Sequence, residues 1–475
     1  MPGLFIALAP DVMGSVVGEA LEFRAASRRV HLGDVSETTR LAFLRLQREA
    51  VGVDQLTDTV IQSDGVDALA NFYYCLGVLG RQRFLRLSVR LHGTPVMTVT
   101  PTSARSALGA GTVARDRRYV LSRFAWIRRD GDETILESSR SRSRIIVHDA
   151  RVLALLHTLA RPCLMAQVIA ACGALPAETI TSMLSVLICS EMVGLEEAEE
   201  TLAAWEFHDL LFHRYSRSDP SGRTVGSTFR FAGQLPAPGA RRTAVPGSTC
   251  IDLFRPDLEQ LHRSDPPLAR VQDARRSMRD YGRHPITAQQ LGEFLYRVAR
   301  VTRCVASEVA TASGPVPMEF AWRPYPSGGA LYELELYPII QHCHGMAPGL
   351  YRYDPFTHRL EQVAEPSRTV EILAEAGYSA GIAPDRLQVV LLLAARFPRV
   401  FWKYSGIGYA TILKNVGCVY QTMYLAATAM GLAPCAIGAG DSAAFAAATG
   451  NPELLEGSVG EFLLGSVNVA DYKGQ

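Results

Sequence analysis

Apolar positions along the chain follow three patterns, each marking a different kind of element. Alternation of apolar and polar residues, which in a strand sends every second side chain to one face, runs through Phe84–Val89 and Val96–Thr100. It returns in Tyr119–Arg128 and Glu133–Val147, which flank Asp130-Gly131, a dipeptide suited to a tight hairpin turn because both central residues take positive φ. Three-to-four spacing, the mark of an amphipathic helix, covers Thr38–Val51, Asp149–Leu159, Leu164–Cys172, Ala177–Met192, Leu202–Tyr215 and Thr287–Val301. The last of these begins with Thr287 as N-cap and Gln290 at the capping-box position. Apolar runs of strand length, Leu331–Ile340, Gln388–Ala395 and Ala433–Ile437, predict strands, and the second is continuous enough for a central buried one. Tyr409–Met430 predicts a long helix whose Gly417, Ala426, Ala427 and Ala429 permit close packing.

These elements divide a chain of 475 residues, too long for one ordinary core. The class they predict is α+β. An N-terminal α/β region is expected over residues 1–118, and a winged-helix-like module of hairpin plus three short helices over 119–218. A linker rich in Gly, Pro and Ser is expected over 219–266, and a C-terminal domain with a central mixed sheet flanked by helices over 267–475. The third helix of the module, Ala177–Met192, has no Lys or Arg and carries Glu178 and Glu191, which makes it a poor DNA reader. Arg140, Arg142 and Arg144 alternate within the expected strand and so share one face, a solvated edge or, more sharply, a peptide-docking one.

Charge narrows the function classes. Forty-eight basic and 47 acidic residues leave a net charge of +1, so no global field recruits nucleic acid or an anionic membrane. Nine cysteines without a CxxC pair point to reduced thiols in a cytoplasmic protein. His342 and His344 flank Cys343 with no second half to complete a zinc site, and no metal is expected. The apolar stretch Gly3–Pro10 lacks a basic region before it, and Met423–Gly440 is interrupted by Thr428, Gly431 and Pro434, so neither a signal peptide nor a membrane span is expected.

Chemistry concentrates in the last domain. Arg275-Arg276-Ser277-Met278-Arg279 offers three guanidiniums and a hydroxyl, groups that bind phosphate. Pro326-Ser327-Gly328-Gly329-Ala330 lets the backbone approach a ligand closely, since no Cβ intervenes at the glycines. Lys403 and Tyr404 stand just before the long helix. Gly438-Ala439-Gly440-Asp441 follows a strand, but the strand-helix-strand repeat of a dinucleotide site is absent.

In this order, the Arg-Arg-Ser-x-Arg cluster, the run from Pro326 to Glu335, Gly349-Leu350-Tyr351-Arg352-Tyr353-Asp354-Pro355, Lys403-Tyr404 and Leu425–Leu432 resemble the SagB/ThcOx-type azoline dehydrogenases of the nitroreductase superfamily. Trp205–Arg217 and the hairpin with three helices resemble the extra N-terminal region of the longer members. The resemblance implies a homodimer with FMN at the subunit interface. Arg275, Ser277 and Arg279, with Arg276 less directly, would hold the FMN phosphate and ribityl chain. Pro326, Ser327, Gly328 and Gly329 would contact the flavin ring, the backbone at Gly438 and Ala439 would approach its reducible edge, and Lys403 and Tyr404 would be catalytic. The implied activity is oxidation of thiazoline or oxazoline rings in a ribosomally made peptide to thiazoles or oxazoles. Dioxygen would reoxidise the flavin, and a cyclodehydratase would be the partner that forms the ring.

One departure is that Gly460–Val469 contains no basic residue, where many nitroreductase-fold proteins carry one that reaches the phosphate. Neither Lys nor Tyr is a base near neutrality at its ordinary pKa. Tyr404 is read as the proton acceptor with a Lys403 cation lowering its pKa, although a desolvated Lys403 could itself be neutral. Two other functions fit the same residues: an FMN-dependent reductase or dehydrogenase of a small molecule, and a flavin-free peptide-binding scaffold for partner enzymes.

Overall fold

The alternating segments near the N-terminus find partners on both sides of residue 118. The computed structural model describes residues 3–468 apart from 19, 26–27, 34, 107, 197–201, 218–223 and 245–246. In it Val51–Gly52, Leu4–Leu8, Leu85–Leu91, Thr94–Pro101, Ser143–Val147, Glu133–Ser138 and Ala125–Asp130 form one antiparallel sheet in that order. One apolar core, reaching from Leu4 to Val193, lies against it. The regions expected as 1–118 and 119–218 therefore share a unit, Met1–Arg223; the second unit is Thr224–Gln475. The boundary expected at 218 falls outside the described residues.

The hairpin turn forms where it was predicted, with Asp130 opposite Glu133 and Gly131 at φ 61°. Glu133–Val147, however, is two strands. Ser141 accepts from the Ser143 N–H at 3.0 Å and donates to the Ser143 carbonyl at 3.0 Å, and such local serine bonds offer the backbone an alternative to the ladder. Arg140 and Arg142 thus sit in the turn, and only Arg144 remains on a strand. Helices Ala150–Thr158, Met165–Ala171 and Ala177–Cys189 accompany a small sheet in the order Cys163–Leu164, Arg118–Leu121, Val193–Leu195, while the expected hairpin belongs to the seven-stranded sheet.

In the second unit the sheet comprises β1 (Cys250–Asp252), β2 (Leu334–Ile340), β3 (Gly349–Asp354), β4 (Arg359–Ala364), β5 (Val389–Arg396), β6 (Leu432–Ile437) and β7 (Glu456–Ser466), in the order β1-β4-β3-β2-β5-β7-β6. Every pairing is antiparallel, where a mixed sheet was expected. Short connections from β2 to β3 and from β3 to β4 return the chain beside itself, which only antiparallel neighbours allow. Strand β5 is covered on both sides. Val389, Leu391 and Leu393 pack with helix α1 (Ala288–Ala299) and helix α2 (Gly408–Ala429), while Val390, Leu392 and Ala394 face Ile372, Ala376 and Phe445. Helix α1 starts with the predicted capping box: the Gln290 N–H donates to Thr287 Oγ1 at 3.2 Å, and the Thr287 N–H donates to Gln290 Oε1 at 2.9 Å.

Residues 224–244 and 247–254, part of the expected linker, instead lie on this unit as a strap. Arg396 donates to the carbonyls of Ala240 (3.2 Å) and Gly239 (3.0 Å), Arg399 to that of Pro238 (2.5 Å), and Trp402 Nε1 to that of Leu235 (3.0 Å). Burial pushes the Arg399 guanidinium down to about 10. Glycine and proline read as linker, but here side chains from elsewhere satisfy the strap's backbone carbonyls. Among the described residues no helix is long and apolar enough to cross a membrane.

Candidate active site

Beyond β5 a short helix, Phe397–Phe401, turns the chain into Trp402, Lys403 and Tyr404. Tyr404–Ser405 then pairs antiparallel with Gly226–Ser227 of the strap. The Lys403 carbonyl accepts the N–H groups of Thr228 (3.0 Å) and Phe229 (3.1 Å), so the backbone at this position is held from outside its own element. Lys403 Nζ lies 5.3 Å from the centre of the Tyr404 ring and 5.8 Å from those of Phe229 and Phe320.

The glycine loop meets this pair. Gly329 has φ 66°, and a Cβ there would stand 2.5 Å from Tyr404 Oη and 2.7 Å from Lys403 Nζ. At Gly328 a Cβ would stand 2.4 Å from Thr411 Cγ2 of α2, and its N–H donates to Asn415 Oδ1 at 3.0 Å. Asn415 Nδ2 in turn donates to Glu333 Oε1 (2.8 Å) and Ser327 Oγ (3.2 Å). Ser327 Oγ accepts from the Tyr332 N–H at 3.0 Å and donates to Glu333 Oε2 at 3.3 Å. A buried network thus clamps both ends of the loop, and satisfied polar networks of this kind fix geometry.

Electrostatics at the pair runs against the tuning expected from sequence. Burial pushes the Lys403 amine down from its ordinary range. Burial, and then the charge of Glu333, pushes the Tyr404 phenol up. Among the described residues no carboxylate pairs with Lys403. Loss of hydration disfavours the charged form of each group, so the amine moves toward neutrality and the phenol stays protonated.

The arginine cluster lies elsewhere along α2. Arg275 stacks over the Tyr424 ring at 5.2 Å, and the Ser277 and Tyr424 hydroxyls are 2.6 Å apart. The Met278 N–H donates to the Pro434 carbonyl at 2.8 Å, and Arg276 lines a cavity of about 240 Å³ with Arg270, Thr428 and Pro434. Arg279 brings its charge beside Tyr281 and Cys435. Among the described residues none of Arg275, Arg276 and Arg279 pairs with a carboxylate, so the cluster retains its capacity for an anion, and its donor set fits a phosphate. Gly438 and Ala439 follow β6 and are exposed; a Cβ at Gly438 would meet open space. Asp441 caps the next helix, accepting from the Ala444 N–H at 2.9 Å.

The structure therefore brings Ser327, Gly328 and Gly329 to Lys403 and Tyr404, Pro326 preceding them in the loop, and places the arginines at the far end of α2. Five contributors were missed from sequence: Phe229, Phe320, Glu333, Asn415 and Tyr424. Two had a signal. Glu333 is a carboxylate beside an apolar strand, and Asn415 is an amide on the buried side of α2. The phenylalanines had none, since nothing local distinguishes a ring that faces the site from one in the core.

Residues 119–222 match the family of the cyanobactin oxidase ThcOx, and residues 273–466 match the nitroreductase family. The chain is 30% identical over 191 residues to the putative nitroreductase MJ1384 of Methanocaldococcus jannaschii, 40% of this chain and 84% of that one. It is 30% identical over 115 residues to the microcin B17-processing protein McbC of Escherichia coli, 23% of this chain and 42% of that one. Among solved structures, a putative nitroreductase of Ralstonia eutropha aligns with a TM-score of 0.36 at 22% identity, covering 49% of this chain and 98% of that one.

Proposed function

This chain belongs to the nitroreductase family, in its SagB/ThcOx-type branch, and from that premise we propose that it oxidises thiazoline or oxazoline rings in a ribosomally made peptide to the aromatic azoles, with FMN as cofactor and dioxygen as terminal oxidant. The observation that carries the reading is Lys403: a half-buried amine, pushed toward its neutral form, held against Gly329 beside a protonated phenol.

Conversion of an azoline to an azole removes a proton from the ring carbon at Cα and a hydride from the neighbouring carbon. FMN, when bound, supplies the acceptor for the hydride. Lys403 Nζ takes the Cα proton, a task for a positioned base of depressed pKa. Tyr404 keeps its hydrogen and donates from Oη, orienting the ring. Glu333 and Asn415 hold the Ser327–Gly329 backbone, so the pair and the loop keep one geometry.

Arg275, Ser277 and Arg279 would hold the FMN phosphate, with Arg276 beside them. Helix α2 supports a site completed by two chains. Thr411, at the glycine loop, and Tyr424, at the arginines, are separated by roughly 20 Å along its axis and about 140° around it. The phosphate-binding and ring-binding sets therefore occupy different faces of one helix, which favours a homodimer with FMN between subunits. Replacing Arg275 and Arg279 together with alanine is expected to weaken FMN binding on the order of 100-fold, at about 1.5 kcal/mol per lost charge-assisted contact. Fluorescence titration of the flavin-free protein measures this, and unchanged affinity would place the phosphate elsewhere.

A peptide substrate is supported by the likeness to a protein that processes microcin B17. Because an azoline must first be made by loss of water from a Cys, Ser or Thr side chain and a backbone amide, the enzyme acts after a cyclodehydratase. The ThcOx-like segment 119–222 is the natural place for that partner or for the peptide's leader to dock. The test is mass spectrometry of an azoline-containing peptide incubated with the flavin-loaded protein in air. Loss of two hydrogens per ring is expected; an unchanged mass despite reducible flavin refutes the reading.

A further inference from the structure

Resting on that activity, we propose that Phe229 and Phe320 are positioning residues for Lys403: one ring from the strap and one from the hairpin Arg303–Thr311 and Gly314–Trp322 flank Nζ, keep it against Gly329 and exclude water from it. Phe229 has φ 49°, a left-handed conformation that costs a non-glycine residue free energy and persists only where surrounding contacts enforce it. Those contacts are on the page. Its N–H donates to the Lys403 carbonyl at 3.1 Å, and its ring meets Trp402 edge-on at 6.0 Å. Phe229 thus touches the lysine at the backbone and at the amine. Phe320 comes from the face of the hairpin that also carries Val316 and Met318, and reaches the amine from another element.

Two effects of the rings oppose each other. Attraction between the ammonium and a ring face favours the charged form, while exclusion of water favours the neutral one. Both rings stand 5.8 Å from Nζ, close to the outer limit of about 6 Å for a useful cation–π contact, so water exclusion prevails. The charged and titratable groups around the amine do not compensate. Tyr404 is neutral. Glu333 is engaged by Asn415 and Ser327, and Glu319 on the hairpin accepts from the Ala240 N–H at 2.7 Å. Arg399 spends its donors on the carbonyls of Leu331, Pro238 and Glu319, and Arg230 on the strap stacks over Phe231 at 4.6 Å.

The chain has three lysines, Lys403, Lys414 and Lys473, so the full-length protein labelled with carbon-13 at lysine Cε gives three signals. Loss of one in Lys403→Arg assigns it. Phe229→Ala and Phe320→Ala are each expected to move the Lys403 titration up toward the ordinary lysine range, and Phe229→Leu, still apolar, to move it less. With the azoline peptide, kcat at neutral pH falls about tenfold in the alanine variants, recovers at higher pH, and KM holds, as for a base that is mis-titrated and not lost. If Phe229→Ala fails to fold by circular dichroism, the partly buried Phe320 carries the test. A Lys403 signal titrating identically in wild type and the folded alanine variants overturns the proposal. The titration needs no turnover. A shift without azoline oxidation would defeat the proposed activity and leave this inference standing, and oxidation without a shift would do the reverse.

Discussion

Lys403→Ala is expected to lower azoline turnover by roughly 100- to 10,000-fold, the range that a positioned general base contributes, while FMN remains bound. The arginines proposed to hold the flavin phosphate lie at the other end of α2, so cofactor content separates a lost base from a lost fold. Lys403→Arg is expected to fail nearly as badly. The chain uses three lysines among 48 basic residues, and a guanidinium, which stays protonated, cannot take a proton. The pH dependence follows from the direction of the shift. The amine acts when unprotonated, so kcat/KM rises with pH through the depressed pKa of Lys403 and then levels. Tyr404→Phe should reduce the rate but retain that rising limb, since the phenol, pushed up, is protonated throughout. A limb that survives in Lys403→Arg and disappears in Tyr404→Phe would reverse the two roles.

Gly329→Ala is expected to cost a comparable amount without removing any catalytic group. A methyl at this position would lie 2.5 Å from Tyr404 Oη and 2.7 Å from Lys403 Nζ, on a backbone at φ 66°. The loop cannot retreat freely, because Asn415 accepts from the Gly328 N–H and donates to Ser327. The pair must move instead, and misplacement by about 1 Å can lower a rate by about 100-fold. Thermal unfolding should change modestly, by about 1 to 3 kcal/mol for the backbone conformation. Gly80→Ala, on a helix of the first unit, is the control, since its Cβ would meet open space. Turnover near wild type in Gly329→Ala would show that the observed contact of loop and pair is not used in catalysis.

Local order explains which features could be read before folding. The capping box at Thr287, the buried run of β5, the turn at Gly131 and the length of α2 each depend on residues within a few positions of one another. So do the three motifs of the site: the arginines at 275–279, the glycine loop at 326–330 and the pair at 403–404. Their chemical character, an anion cradle, a close-approach loop and an amine beside a phenol, is a property of the residue types and needs no partner to be recognised.

What folding alone decided is which distant segments meet. Alternation in a strand sets which side chains share a face and leaves the neighbouring strand open, so the sheet spanning residue 118 and the antiparallel order of the second sheet were not legible. Composition marked residues 219–266 as a linker because it carries no information about Arg396, Arg399 and Trp402, whose donors hold the strap in place. The same holds for acid–base roles. Lys403-Tyr404 as a dipeptide suggests a cation tuning a phenol, but burial moves both groups the other way, with Glu333 adding to the shift of the phenol. Desolvation is set by whatever closes over a group in three dimensions. The sequence determined the candidate reactive groups, and the tertiary structure decided in which direction burial moves each of them.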